Sequence, residues 1–184
     1  MERFKGRLVA KGYSQKPDVD YGETFSPVVR FNSIRTLLAV AVKKGMLIHQ
    51  MDVVTAFLNG NVDEEIYMEQ PEGYAEFGKE EMVCKLKKSL YGHKQSLQCW
   101  NRTFRELMES LNFQLSHADP CIFMTRSEPS DADKLTVIAI YVDDVIIIAT
   151  TEREMNQIKF NLSKHFKKEL SLYFPLTMSR NCTP

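Results

Sequence analysis

Asp143 and Asp144 stand side by side in Tyr141-Val142-Asp143-Asp144, between the apolar runs 135–140 and 145–149. An unpaired buried carboxylate is costly, so two in such a segment ask for a cation or a water-facing turn. Reading 136–142 and 145–149 as strands puts both aspartates at a hairpin tip, walled by apolar side chains and open on one side, which suits Mg²⁺. An ordinary Asp-Asp turn is the plainer alternative. A third carboxylate, Asp52, lies far upstream in Gln50-Met51-Asp52-Val53-Val54. By itself it reads as a strand-end aspartate bonded to nearby backbone. With the pair it completes a set: two-metal phosphoryl transfer needs carboxylates from at least two strands, the ions lying about 3.5–4 Å apart.

The elements that must position these residues follow from periodicity. Residues 3–29 read as strand and loop, with Lys16-Pro17-Asp18 as a turn and Ser26-Pro27 excluding a helix. A helix follows, capped by Asn32 or Ser33, with Ile34, Leu37, Leu38 and Ala41 as its core stripe and Gly45 as its stop. Residues 47–54 read as a strand carrying Asp52. Asn59-Gly60 predicts a hairpin with a return strand near 65–68. A short strand at 83–86 leads through Tyr91-Gly92 into a helix with Trp100, Phe104, Leu107, Met108 and Leu111 at helical spacing. A strand at 120–124, a polar turn over 126–133 and the Asp-Asp hairpin come next. Thr151 and Glu154 form a capping box for a helix burying Met155, Ile158, Leu162 and Phe166. After Leu170 the pattern dissolves. Helices on one face of an antiparallel sheet, an α+β arrangement, are the expected fold class.

A chain of 184 residues, 43% hydrophobic and 26% charged, fits one domain with subdomains. It has no apolar run near the roughly 18 residues of a membrane span. The start, Met1-Glu2-Arg3-Phe4-Lys5-Gly6-Arg7, lacks the apolar core of a signal peptide, so an intracellular, cytoplasmic setting is expected. Cys84, Cys99, Cys121 and Cys182 have no CxxC spacing and read as reduced thiols, and the four histidines are scattered, so zinc has no case. Formal net charge is zero, but its sign is segregated. Lys5, Arg7, Lys11 and Lys16 open the chain, acids dominate 63–81, and Lys85, Lys87, Lys88 and Lys94 form a second basic cluster that could hold phosphates.

A series of motifs carries a resemblance. Arg7-Leu8-Val9-Ala10-Lys11-Gly12-Tyr13-Ser14-Gln15, Glu23-Thr24-Phe25-Ser26-Pro27-Val28-Val29-Arg30, Gln50-Met51-Asp52 through Asn59-Gly60, and Ile66-Tyr67-Met68-Glu69-Gln70-Pro71-Glu72-Gly73 come first. Ser89-Leu90-Tyr91-Gly92-His93-Lys94-Gln95-Ser96, Asp119-Pro120-Cys121-Ile122-Phe123 and Tyr141-Val142-Asp143-Asp144 follow. In this order they resemble the reverse transcriptase domain of copia-type long-terminal-repeat retrotransposons, part of a Pol polyprotein. The resemblance implies an RNA-directed DNA polymerase with a right-hand fingers-and-palm fold. Residues 1–48 would be fingers-like, 49–70 and 118–166 palm-like, 83–117 the template-grip loop and helix, and 167–184 a divergent tail.

It also implies roles. Asp52, Asp143 and Asp144 would be catalytic and hold two Mg²⁺ ions, with Mn²⁺ able to substitute. Lys5, Arg7, Phe57, Tyr91 and Gly92 would meet the incoming deoxynucleoside triphosphate. Lys94, Gln95 and Ser96 would support the template. The implied partners are an RNA/DNA primer-template, deoxynucleotides and the remainder of a Pol polyprotein, with no membrane, in the cytoplasm, virus-like particles or nucleus. Departures also stand out. His93, Leu97, Gln98 and Cys99 replace Leu, Pro, Arg and Gln of the usual template-grip pattern, and Gln98 removes a cation. A fragment cut within the fingers and lacking a thumb, connection and ribonuclease H is expected. The rival reading is therefore a catalytically silent remnant that folds or binds nucleic acid or protein without DNA synthesis.

Overall fold

The computed structural model describes residues 6–125 and 135–166, and the backbone of 170–175. The predicted turn at 126–133, Lys5 and most of the tail lie outside the described residues. The chain divides into two units, one of Met1–Ser26 and Ala56–Phe104, the other of Pro27–Thr55 and Arg105–Pro184.

The second unit is built on a six-stranded antiparallel sheet. Its strands are β1 (Leu47–Val53), β4 (Phe113–Leu115), β5 (Ile122–Thr125), β6 (Thr136–Tyr141), β7 (Asp144–Ala149) and β8 (Leu170–Pro175), in the order β4-β5-β6-β7-β1-β8. Side chains alternate across a strand and directly opposed residues share a face. The register Met51↔Val145, Ile138↔Ile147 and Phe123↔Ile138 therefore gathers one apolar face. Met51, Val53, Phe123, Ile138, Ile140, Val145 and Ile147 on it are almost wholly buried.

Helix α1 (Phe31–Lys44) ends as its sequence predicts: Gly45 takes φ +65°, and its N–H reaches back to the Ala41 and Val42 carbonyls. Of the expected stripe only Ala41 is fully buried, while Ile34, Leu37 and Leu38 are half-buried. Helix α4 (Glu152–His165) begins with the predicted capping box between Thr151 and Glu154 and buries Met155, Ile158, Leu162 and the adjoining Phe166. Its Lys159 lies near enough to His49 of β1 to lower the imidazole pKa, together with the larger effect of burial.

The first unit contains α2 (Ala56–Asn59), the two-stranded ribbon β2 (Tyr67–Glu69) and β3 (Val83–Lys85), and the opening half of α3 (Ser96–Ser110). A 3-10 turn at Gly12–Ser14 and isolated bridges, Val9 to Tyr91 among them, organise its start. Trp100 and Phe104 of α3 are fully buried, their rings edge to face at 5.6 Å. No described helix is long and apolar enough to cross a membrane.

Four expectations are corrected. Asn59-Gly60 closes no hairpin: Ala56–Asn59 is helical, and the 65–68 segment pairs with β3 instead. A Cβ on Gly60 would meet Trp100 N and Cys99 Cβ at 2.9 Å, so packing against α3 is what requires glycine there. Neither Asn32 nor Ser33 is the N-cap of α1, because the helix begins earlier with Arg30 at that position. Residues 6–29 hold no strand of the named sheets, only bridges. The pattern does not dissolve after Leu170, since Leu170–Pro175 is an edge strand on β1, with a register shift at His49/Gln50.

Candidate active site

The sheet register brings the acidic residues together at the backbone. Asp52 of β1 is directly opposite Asp144 of β7, and Tyr141 of β6 flanks Asp144 on the other side. Opposed antiparallel residues have Cα atoms roughly 4.5–5.5 Å apart, so Asp52, Asp144 and Tyr141 share one sheet face. Asp143 occupies the two-residue loop between β6 and β7, and its carbonyl accepts from the Val53 N–H at 2.9 Å. The strand that carries Asp52 thus also fixes the loop that carries Asp143.

The loop is strained. Val142 has φ +57°, a region that β-branched residues rarely enter and that costs of order 1–3 kcal/mol. A positive φ only at the first loop residue matches a type II′ hairpin turn, whose twist fits the flanking strands. On the carboxylate face Gln50 Nε2 donates to Asp144 Oδ1 at 3.0 Å, orienting that side chain. Sequence reasoning passed over Gln50, although its place two residues before Asp52 puts it on the same strand face. Among the described residues, no group of three His, Cys, Asp or Glu side chains is gathered closely enough to hold a metal ion. The backbones are neighbours, but the carboxylates do not converge.

A buried carboxylate that sequence reasoning did not single out anchors α1. Asp119 is fully buried. Its Oδ2 accepts from the Arg30 N–H at 3.0 Å and the Ser33 hydroxyl at 2.7 Å, and its Oδ1 from the Cys121 N–H at 3.1 Å. Burial alone would raise its pKa, but these hydrogen bonds together hold it below the ordinary value. Asp119 so satisfies the backbone amide of Arg30, the N-cap residue, whose own side chain makes no cap hydrogen bond. The first helical residue, Phe31, meets the Tyr141 ring at 6.4 Å, next to the hairpin.

In the first unit, three residues predicted to meet nucleotide form a stack. The Phe57 and Tyr91 rings lie edge to face at 4.7 Å, and the Arg7 guanidinium sits 4.9 Å from the Tyr91 ring centre. Gly92 takes φ +95°, and a Cβ there would fall 2.1 Å from the Ala10 carbonyl oxygen, so no other residue fits. Lys94 Nζ donates to the Tyr21 hydroxyl at 3.0 Å and lies 4.7 Å from its ring centre. Gln95 is fully buried, accepting from Gln15 Nε2 at 3.1 Å and donating to the Asp20 carbonyl at 2.9 Å. Ser96 is buried and donates to the Leu90 carbonyl. Gln95 and Ser96 therefore brace the loop from inside.

Comparison with known proteins agrees with the motif series. The family described as "Reverse transcriptase (RNA-dependent DNA polymerase)" matches residues 1–175. The chain is similar to the retrovirus-related Pol polyprotein from transposon TNT 1-94 of Nicotiana tabacum, 44% identical over 89% of this chain and 12% of that protein. It is also similar to the corresponding polyproteins from transposons RE1 and RE2 of Arabidopsis thaliana, 39% and 41% identical over 90% and 80% of this chain and 11% and 10% of theirs. It spans only 10–12% of the length of these curated relatives. No solved structure matches the chain.

Proposed function

The chain belongs to the reverse transcriptase (RNA-dependent DNA polymerase) family, and we propose that it is a retrotransposon polymerase segment that adds deoxynucleotides to a primer 3′-hydroxyl on an RNA template. The observation that carries this reading is the register Asp52↔Asp144, with Asp143 held by Val53 in the adjoining loop. In this reading residues 49–70 and 118–166 are palm-like and residues 1–48 fingers-like.

Asp52, Asp143 and Asp144 are hard oxygen donors from neighbouring strands, the chemistry that Mg²⁺ selects, and side-chain rotation would let them face a shared ion. Divalent cations bound there would supply charge neutralisation at the reacting phosphate and acidify the primer hydroxyl. The chain's own residues would do the rest by positioning. The Gln50 amide orients Asp144, leaving Asp143 at the hairpin tip as the more direct ligand. Arg7, stacked on Tyr91, offers a guanidinium that pairs with phosphate oxygens. Phe57 offers the ring edge that would exclude a ribose 2′-hydroxyl. Gly92 lets the backbone approach closely, and Lys94 adds a cation for the template strand.

Primer extension on an RNA template with Mg²⁺ or Mn²⁺ tests the reading. The chain should extend the primer, and Asp143→Asn should lower the rate by at least about a hundredfold, each tenfold being about 1.4 kcal/mol of barrier. Equal signals from the two proteins would remove the polymerase assignment and favour the silent-remnant reading.

A further inference from the structure

The motif Ile66-Tyr67-Met68-Glu69-Gln70-Pro71-Glu72-Gly73 has no part in the chemistry above, yet the loop it opens is closely organised. Residues 70–82 join β2 to β3, and Gln70 holds them from inside. Its Nε2 donates to the Lys79 and Met82 carbonyls at 2.6 and 2.9 Å, and its Oε1 accepts from the Glu76 N–H at 2.8 Å. Three backbone turns, Tyr74 to Pro71, Lys79 to Glu76 and Met82 to Lys79, and the Lys79–Glu76 pair at 2.7 Å add to the frame.

Ordering a residue costs about 1–2 kcal/mol of backbone entropy, which loops ordinarily offset by burying side chains. Here the aromatic side chains face water: Phe77 is 98% exposed and Tyr74 82%, with Met82 at 59%. Large apolar groups displayed on a shaped polar frame mark a docking surface. Its charge narrows the partner. Glu69, Glu72, Glu76, Glu80 and Glu81 surround the aromatics against Lys79 alone, a field that repels phosphate. Nucleic acid is thereby disfavoured and a basic polypeptide surface favoured.

The chain itself carries such a surface. Helix α1 contains Arg35, Lys43 and Lys44 and no acid, and its Val40, 39% exposed, shares a helix face with Lys43 and Lys44. With formal net charge zero, two copies have no overall repulsion to overcome. We propose that the 70–82 loop of one copy docks on α1 of a second copy, the aromatics covering Val40 and the glutamates facing Lys43 and Lys44 on the same helix face.

The inference is independent of the polymerase reading and is tested without activity. Sedimentation velocity over about 1–300 µM should show a concentration-dependent dimer that weakens in high salt. Tyr74→Ser with Phe77→Ser should weaken it by roughly tenfold or more. Glu80→Lys with Glu81→Lys, and separately Lys43→Glu with Lys44→Glu, should each do the same, while mixing the two charge-reversed proteins should restore a heterodimer. All these positions are exposed, and an unchanged unfolding midpoint would verify folding. A monomer throughout the range, or a dimer indifferent to the loop substitutions, overturns the proposal. Failure of the reversed pair to associate removes α1 as the docking partner.

Discussion

Single residues in this chain are constrained most tightly where backbone meets backbone. Gly92 is the clearest case, because a side chain there would collide with the Ala10 carbonyl and φ is positive. We expect Gly92→Ala to destabilise the protein by more than about 2 kcal/mol, measured by chemical denaturation. A change within about 0.5 kcal/mol would mean that the loop adjusts. The need for glycine was legible in Tyr91-Gly92, but the partner that imposes it, a segment some eighty positions upstream, was not. Val142 shows the reverse situation: nothing about a valine between Tyr141 and Asp143 announces a left-handed φ, and only hairpin closure explains it. The three aspartates stand out by type and spacing as the set proposed here. Their register does not, since periodicity gives the face of a strand but never its neighbour.

Among the elements, α1 depends on a carboxylate from outside its own sequence. Asp119 accepts three hydrogen bonds on two oxygens, whereas asparagine offers one acceptor and sets an NH₂ group against a donor. Asp119→Asn should therefore cost about 2–3 kcal/mol. Its carboxyl titrates below the ordinary value of 3.8 in the folded protein. The stabilisation is thus complete above pH 3.8 and is lost as pH falls through the lower folded value. An unfolding free energy unchanged by Asp119→Asn at neutral pH would show that Arg30 and Ser33 find other acceptors. Local signals succeeded where the interaction was local, as with the Thr151 capping box and the Gly45 stop. They failed at the start of α1, where Asp119 of a distant loop holds the Arg30 amide and the Ser33 hydroxyl, and at Asn59-Gly60, where contact with α3 outweighs turn propensity. In Leu170–Pro175 a legible alternation of apolar and polar residues was passed over.

For the molecule as a whole, mild acid is the expected weakness. His93 is buried with no partner for Nδ1 among the described residues, and burial lowers its pKa. His49 is lowered by burial and then by Lys159. The ordinary histidine value is 6.5. Below it the unfolded chain takes up protons that the folded chain refuses, so stability falls with pH from about 6.5 until the folded values are reached. His93→Leu, which removes the buried imidazole, should flatten part of that slope in unfolding titrations between about pH 5 and 7. An unchanged slope would assign the effect elsewhere. The α+β class was legible from the mixture of helical stripes and alternating runs. The division into two units was not, because no linker or shift in composition marks it.

The central claim is that Asp52, Asp143 and Asp144 act together on divalent cations, and it can be tested without processive synthesis. Titrating Mn²⁺ into the chain with a deoxynucleoside triphosphate, followed by calorimetry against a protein-free nucleotide blank, is the most direct measurement. The account predicts saturable binding that Asp52→Asn and Asp143→Asn each weaken by at least about tenfold. Binding of equal strength in the unaltered chain and both variants would contradict it.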